Sequence, residues 1–172
     1  VLATAQPVEL TATFMGAHEV PVEYRGRRAE YVELIVDKMI PAVAGAGLAE
    51  WCDVFCETGV FTPAESQAIL EAGARHGLKP RIHADELGLS GGAEVAATVG
   101  ARSADPLIFV DQPHARRMAE SGVVATLLPA VWGFGRGQAW LWWSLMTAGT
   151  LAYCATMQVH WAVGYHSLKH LL

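Results

Sequence analysis

Lys79-Pro80-Arg81-Ile82-His83-Ala84-Asp85-Glu86 reads as a short strand that delivers His, Asp and Glu into the loop at its end. A helix-like run from Pro63 to His76 precedes it, and Gly91-Gly92 opens another helix behind it. Barrels and doubly wound α/β sheets place their chemistry at such strand ends, ahead of a helix. An isolated His beside two acids is more often a surface turn. The repeated strand–helix pattern around this one points instead to a site.

Working outward, Thr11 to Ala17 is a β-rich run that ends at His18. From Arg27 to Val43 the apolar residues Tyr31, Leu34, Ile35, Met39 and Val43 fall on one helical face, with Pro41 disturbing the last turn. Cys52 to Cys56 is a second strand, leading into Glu57-Thr58-Gly59. Thr62-Pro63-Ala64-Glu65 has the residues of a capped helix start. After the strand at Arg81 to Ala84 come a helix at Ala93 to Val99 and a strand from Ser103 to Phe109, in which Pro106 sits badly. A helix follows at Pro113 to Ser121. Val123 to Leu128 is then an apolar run of the kind buried in a parallel sheet. The series predicts an α/β fold, either a partial (β/α)₈ barrel or an open doubly wound sheet. No G-x-G-x-x-G or Walker A loop occurs, which argues against nucleotide binding.

The formal net charge of −5 argues against a nucleic-acid partner. Val1 to Leu10 has no basic segment of a secretory signal, and the missing initiator Met suggests a fragment or processed chain. Three cysteines, Cys52, Cys56 and Cys154, do not make a disulfide framework and favour a reducing, cytoplasmic setting. Cys52 and Cys56 read as buried strand positions rather than metal ligands.

The strand ends line up: His18, Glu57, His83 with Glu86, Asp105, and Pro129. In a barrel these ends share one cavity. Imidazoles and carboxylates gathered there suit a divalent transition metal, which activates water for hydrolysis. The competing reading makes His18 and His83 hydrogen-bonded loop residues.

Three blocks carry a more specific signal: Thr13-Phe14-Met15-Gly16-Ala17-His18-Glu19-Val20-Pro21, Cys52-Asp53-Val54-Phe55-Cys56-Glu57-Thr58-Gly59-Val60-Phe61, and Ile82-His83-Ala84-Asp85-Glu86. They resemble imidazolonepropionase, the amidohydrolase-type enzyme of histidine degradation. The likeness runs in order from about Thr11 to Pro129. It implies a metal-dependent (β/α)₈ barrel that uses zinc or iron to open the ring of 4-imidazolone-5-propanoate, giving N-formimidoyl-L-glutamate. By the same resemblance His18 contacts substrate, His83 is a metal ligand, Glu86 faces the substrate ring as a substrate-binding and catalytic group, and Asp105 is catalytic. The chain departs from the family at Pro106, where the family usually has His. It contains no H-x-H pair and no acid beyond Glu120, so His83 alone represents the four metal ligands that the resemblance implies. The alternative function is a non-catalytic barrel remnant with a membrane-associating tail.

The chain changes character near Ala130, which divides it into a partial barrel at 1–130 and a divergent tail at 131–172. All 17 acids precede Val131, and the tail has only Arg136 and Lys169 as fixed charges but five of the 6 Trp. Ala139 to Val159 is uncharged and long enough to span a bilayer. Its Ser, Thr and Gln residues favour a buried helix over a membrane-associating one. An out-of-frame continuation is a further explanation of the tail. A partial barrel leaves sheet edges unpaired, which predicts homo-oligomers or aggregation.

Overall fold

The computed structural model describes residues 10–125, and the apolar tail predicted from residue 131 lies outside them. Five strands form one all-parallel sheet in the order of the chain: β1 (Thr13–Ala17), β2 (Trp51–Cys56), β3 (Lys79–Ala84), β4 (Ser103–Pro106) and β5 (Val124–Ala125). Between them lie α1 (Arg28–Leu34), α2 (Ile40–Gly45), α3 (Pro63–Arg75), α4 (Gly92–Val99) and α5 (Gln112–Glu120). A doubly wound sheet reverses strand order at its switch point, whereas a barrel adds each strand beside the last. The strictly sequential order therefore makes this part of a (β/α)₈ barrel.

The pleat assigns the two faces of the sheet. Cys52, Val54 and Cys56 of β2, Ile82 and Ala84 of β3, and Ala104 of β4 are fully buried. α3 packs on β2 and β3, and α4 on β3 and β4. Two glycines permit this close approach. A Cβ at Gly92 would lie 2.5 Å from the Cβ of Ala84, and one at Gly73 would lie 2.9 Å from the Cβ of Cys52. The opposite face, which in a barrel lines the lumen, carries Trp51, Asp53, Phe55, Arg81, His83 and Asp105.

Local chemistry explains the element ends. Thr62 and Glu65 form the expected capping box of α3, with Pro63 at its first turn, and Glu65 also accepts from Arg28 Nε at 3.0 Å, tying α1 to α3. Asp111 caps α5 through the His114 N–H. The helix expected over residues 27–43 widens into a π-turn at Ile35–Met39, where the Ile40 N–H reaches back to the Ile35 carbonyl. The adjoining Pro41 has no N–H to continue an α-pattern. β4 stops at Pro106 rather than running to Phe109, since proline donates nothing to a ladder. No helix among the described residues is long and apolar enough to cross a membrane.

Candidate metal centre

β2 lies between β1 and β3, so a side chain on its inner face has a neighbour on either side. Asp53 uses both. One carboxylate oxygen, Oδ1, is 2.9 Å from Nδ1 of His83 on β3 and 3.3 Å from Nε2 of His18, just past β1. The two imidazoles meet edge to face with centroids 4.9 Å apart, and Phe55 flanks both. Asp53 is only 6% exposed, while the rings are partly open.

The electrostatics follow from that geometry. Burial pushes the Asp53 carboxyl up, but the hydrogen bonds from His18 and His83, with their charges, outweigh it and hold the group down at about 2. The hydrogen bond to Asp53 raises His83 above its ordinary 6.5 against the opposing effect of burial, with Asp105 and Glu86 adding to the rise. Asp105 stands beside His83 in register across β3 and β4. A cavity of about 490 Å³ opens next to His18, lined also by Phe55, Tyr24, Arg25 and Arg28.

The other acids at the strand ends have different work. Glu57, 2% exposed, accepts the N–H groups of Glu86 at 3.1 Å, Leu87 at 3.0 Å and Thr58 at 2.9 Å. Asp85 is fully buried and accepts from the N–H of Ser90, Gly91 and Ala93 and from the Ser90 hydroxyl. Both carboxylates are committed to the main chain. Together they hold the loop that carries Glu86 and the start of α4.

No family model matches the chain. An imidazolonepropionase from Shouchella clausii (strain KSM-K16) is 57% identical over 123 residues, 72% of this chain and 28% of the relative. Another from Geobacillus thermodenitrificans (strain NG80-2) is 54% identical over 138 residues, 80% of this chain and 32% of the relative. A third, from Streptococcus gordonii, is 51% identical over 123 residues, 72% of this chain and 40% of the relative. Over that span the chain is a partial match to imidazolonepropionase. It covers well under half the length of these relatives.

The donor chemistry is of a kind that could hold a metal ion. Two imidazoles and a carboxylate each offer one ligand atom, all within 4.8 Å of one another. Of the residues singled out in the sequence, the structure brings His18 and His83 into this cluster, sets Asp105 beside it, and places Glu86 in the loop beyond β3. It leaves Glu57 out. The sequence singles out His83 as the one ligand the resemblance implies, and the structure sets Asp53 Oδ1 2.9 Å from its Nδ1. In the sequence Asp53 stands only inside the Cys52–Phe61 block and is not among the candidate site residues. The signal was the strand period: if Cys52, Val54 and Cys56 face the helices, Asp53 must face the side that carries His83.

Proposed function

We propose that residues 11–129 are the central strands of a metal-dependent imidazolonepropionase, which hydrolyses the ring C–N bond of 4-imidazolone-5-propanoate to N-formimidoyl-L-glutamate in the cytoplasm. The observation that carries this reading is the meeting of His18 and His83, at the C-terminal ends of β1 and β3, over Asp53 of the parallel strand between them, on the side where barrel enzymes keep their chemistry. His83 would hold zinc or iron, with Asp53 behind it at its Nδ1. A bound ion of this kind supplies Lewis acidity and lowers the pKa of water. His18 meets the substrate from the rim of the cavity. Glu86, its backbone fastened by Glu57, faces the ring and holds or relays a proton. Asp105 is a second catalytic carboxylate beside His83.

One ligating imidazole, even with Asp53 behind it, binds metal loosely, so the dialysed chain is expected to hold far less than one zinc or iron per molecule and to open no ring. The deciding experiment places residues 11–129, with Pro106→His, in the corresponding segment of the Geobacillus thermodenitrificans relative. The expected outcome is ring opening that disappears on His83→Ala. A folded, metal-loaded chimera without turnover would overturn the proposal.

A further inference from the structure

We propose that Asp53 is a positioning residue that sets opposite tautomers on the two histidines of the site, so that His83 presents Nε2 and His18 presents Nδ1. The inference deepens the proposed function and rests on its assignment of His83 to metal and His18 to substrate.

The argument starts from what an ionised carboxylate can do. It accepts hydrogen bonds and donates none, so a ring nitrogen facing it must carry a hydrogen. Asp53 Oδ1 faces Nδ1 of His83 at 2.9 Å and Nε2 of His18 at 3.3 Å. In the neutral rings the hydrogen is therefore on Nδ1 in one and on Nε2 in the other. The remaining lone pair is then on Nε2 of His83 and on Nδ1 of His18. A histidine that donates its other N–H to a carboxylate is held in orientation and made a better metal donor. Here a single buried oxygen does this for one ring and the reverse for its neighbour. The strand order makes it possible, because β2 alone lies next to both β1 and β3. On this assignment Asp53 acts through the imidazoles, and it leaves each of them one free nitrogen for a different partner.

The test is long-range ¹⁵N–¹H NMR of the metal-free 172-residue chain at alkaline pH, where both rings are neutral. Wild type is expected to show His83 protonated on Nδ1 and His18 on Nε2. Free imidazole side chains favour the Nε2–H form, so Asp53→Ala should switch His83 and leave His18 as it was. Asp53→Asn keeps a carbonyl acceptor in place and should preserve the wild-type pattern, which a general structural role would not predict. His83 protonated on Nε2 in wild type, or on Nδ1 in folded Asp53→Ala, would overturn the inference. Should Asp53→Ala not fold, wild type and Asp53→Asn decide it: His83 protonated on Nε2 in either overturns it. Because the spectra need neither metal nor turnover, an inactive chimera with the expected tautomers would sink the proposed function and leave this inference standing.

Discussion

Glu57 holds Glu86 by its main chain: the buried carboxylate at the end of β2 accepts the Glu86 N–H at 3.1 Å and the neighbouring Leu87 N–H at 3.0 Å. The side chain proposed to face substrate is thus placed by another strand. Glu57→Ala removes the acceptor of three part-buried main-chain N–H groups, at a cost of roughly 1 kcal/mol. Urea unfolding should register that loss, and Glu57→Gln, which keeps one acceptor oxygen, should lose less. Amide exchange at Glu86 and Leu87 should quicken in both.

Stability of the metal-free chain should depend on pH through the Asp53–His83 pair, with two limbs of opposite sign. Asp53 is lowered from 3.8 to about 2, so its contribution is present above pH 3.8 and is lost as pH falls through about 2. His83 is raised above 6.5, so its contribution is complete below pH 6.5 and is lost as pH rises through its folded value. The pair therefore helps most between these windows. Urea midpoints across pH should fall on both sides in wild type, and both limbs should flatten in Asp53→Asn. An unchanged profile in that variant would count against the pair as the cause.

Metal uptake should follow the opposite pH trend. An ion needs the His83 lone pair that a proton occupies at low pH, so binding releases a proton and strengthens as pH rises through the raised His83 value. Zinc titration of the chimera at several pH values would reveal it. Affinity that is flat across that range would indicate that His83 is not a ligand.

Gly92→Ala should destabilise by about 1–3 kcal/mol through overpacking. The new methyl would sit 2.5 Å from Ala84 Cβ and 3.2 Å from Cys56 Cβ, against atoms of the sheet that have no room to retreat. Gly73→Ala meets Cys52 Cβ at 2.9 Å and Sγ at 3.1 Å, and pairing it with Cys52→Ala, which removes the sulfur but keeps the Cβ, should recover part of the loss. Thermal unfolding of the single and double variants measures both effects.

Neither strand cysteine should react with iodoacetamide until the chain unfolds. Cys52 and Cys56 are fully buried, and burial pushes both thiols up, Cys52 to about 12, so little thiolate exists at neutral pH. Peptide mapping after alkylation with and without denaturant gives the answer.

The sequence made the strand–helix series legible because each unit carries its own punctuation: the Thr62–Glu65 box, Gly77 after α3, Gly100 after α4. From the strand–helix pattern alone strand order was open between two architectures, since pairing between strands leaves no local mark; the resemblance implied the barrel, and the sequential order of β1 to β5 agrees with it. His18 and His83 could be placed at strand ends from their position in the chain. Asp53 escaped because its partners lie 35 and 30 residues away and its sequence neighbours are apolar. Glu57 and Asp85 show the converse. Their sequence positions suggest chemistry, but main-chain N–H groups consume both carboxylates, and a string of letters does not record which loop folds back onto an acid.

Asp85 has a consequence for motion. Its carboxylate accepts from Ser90, Gly91 and Ala93, and it stands next in the chain to Glu86. The loop bearing Glu86, the group proposed to face substrate, and the first turn of α4 consequently share one anchor, and neither can let go while the other stays fully bonded. Opening there should be a single cooperative event, a local unfolding unit smaller than the domain. Any ligand that stills the loop would then also slow the breathing of a helix on the far side of the sheet.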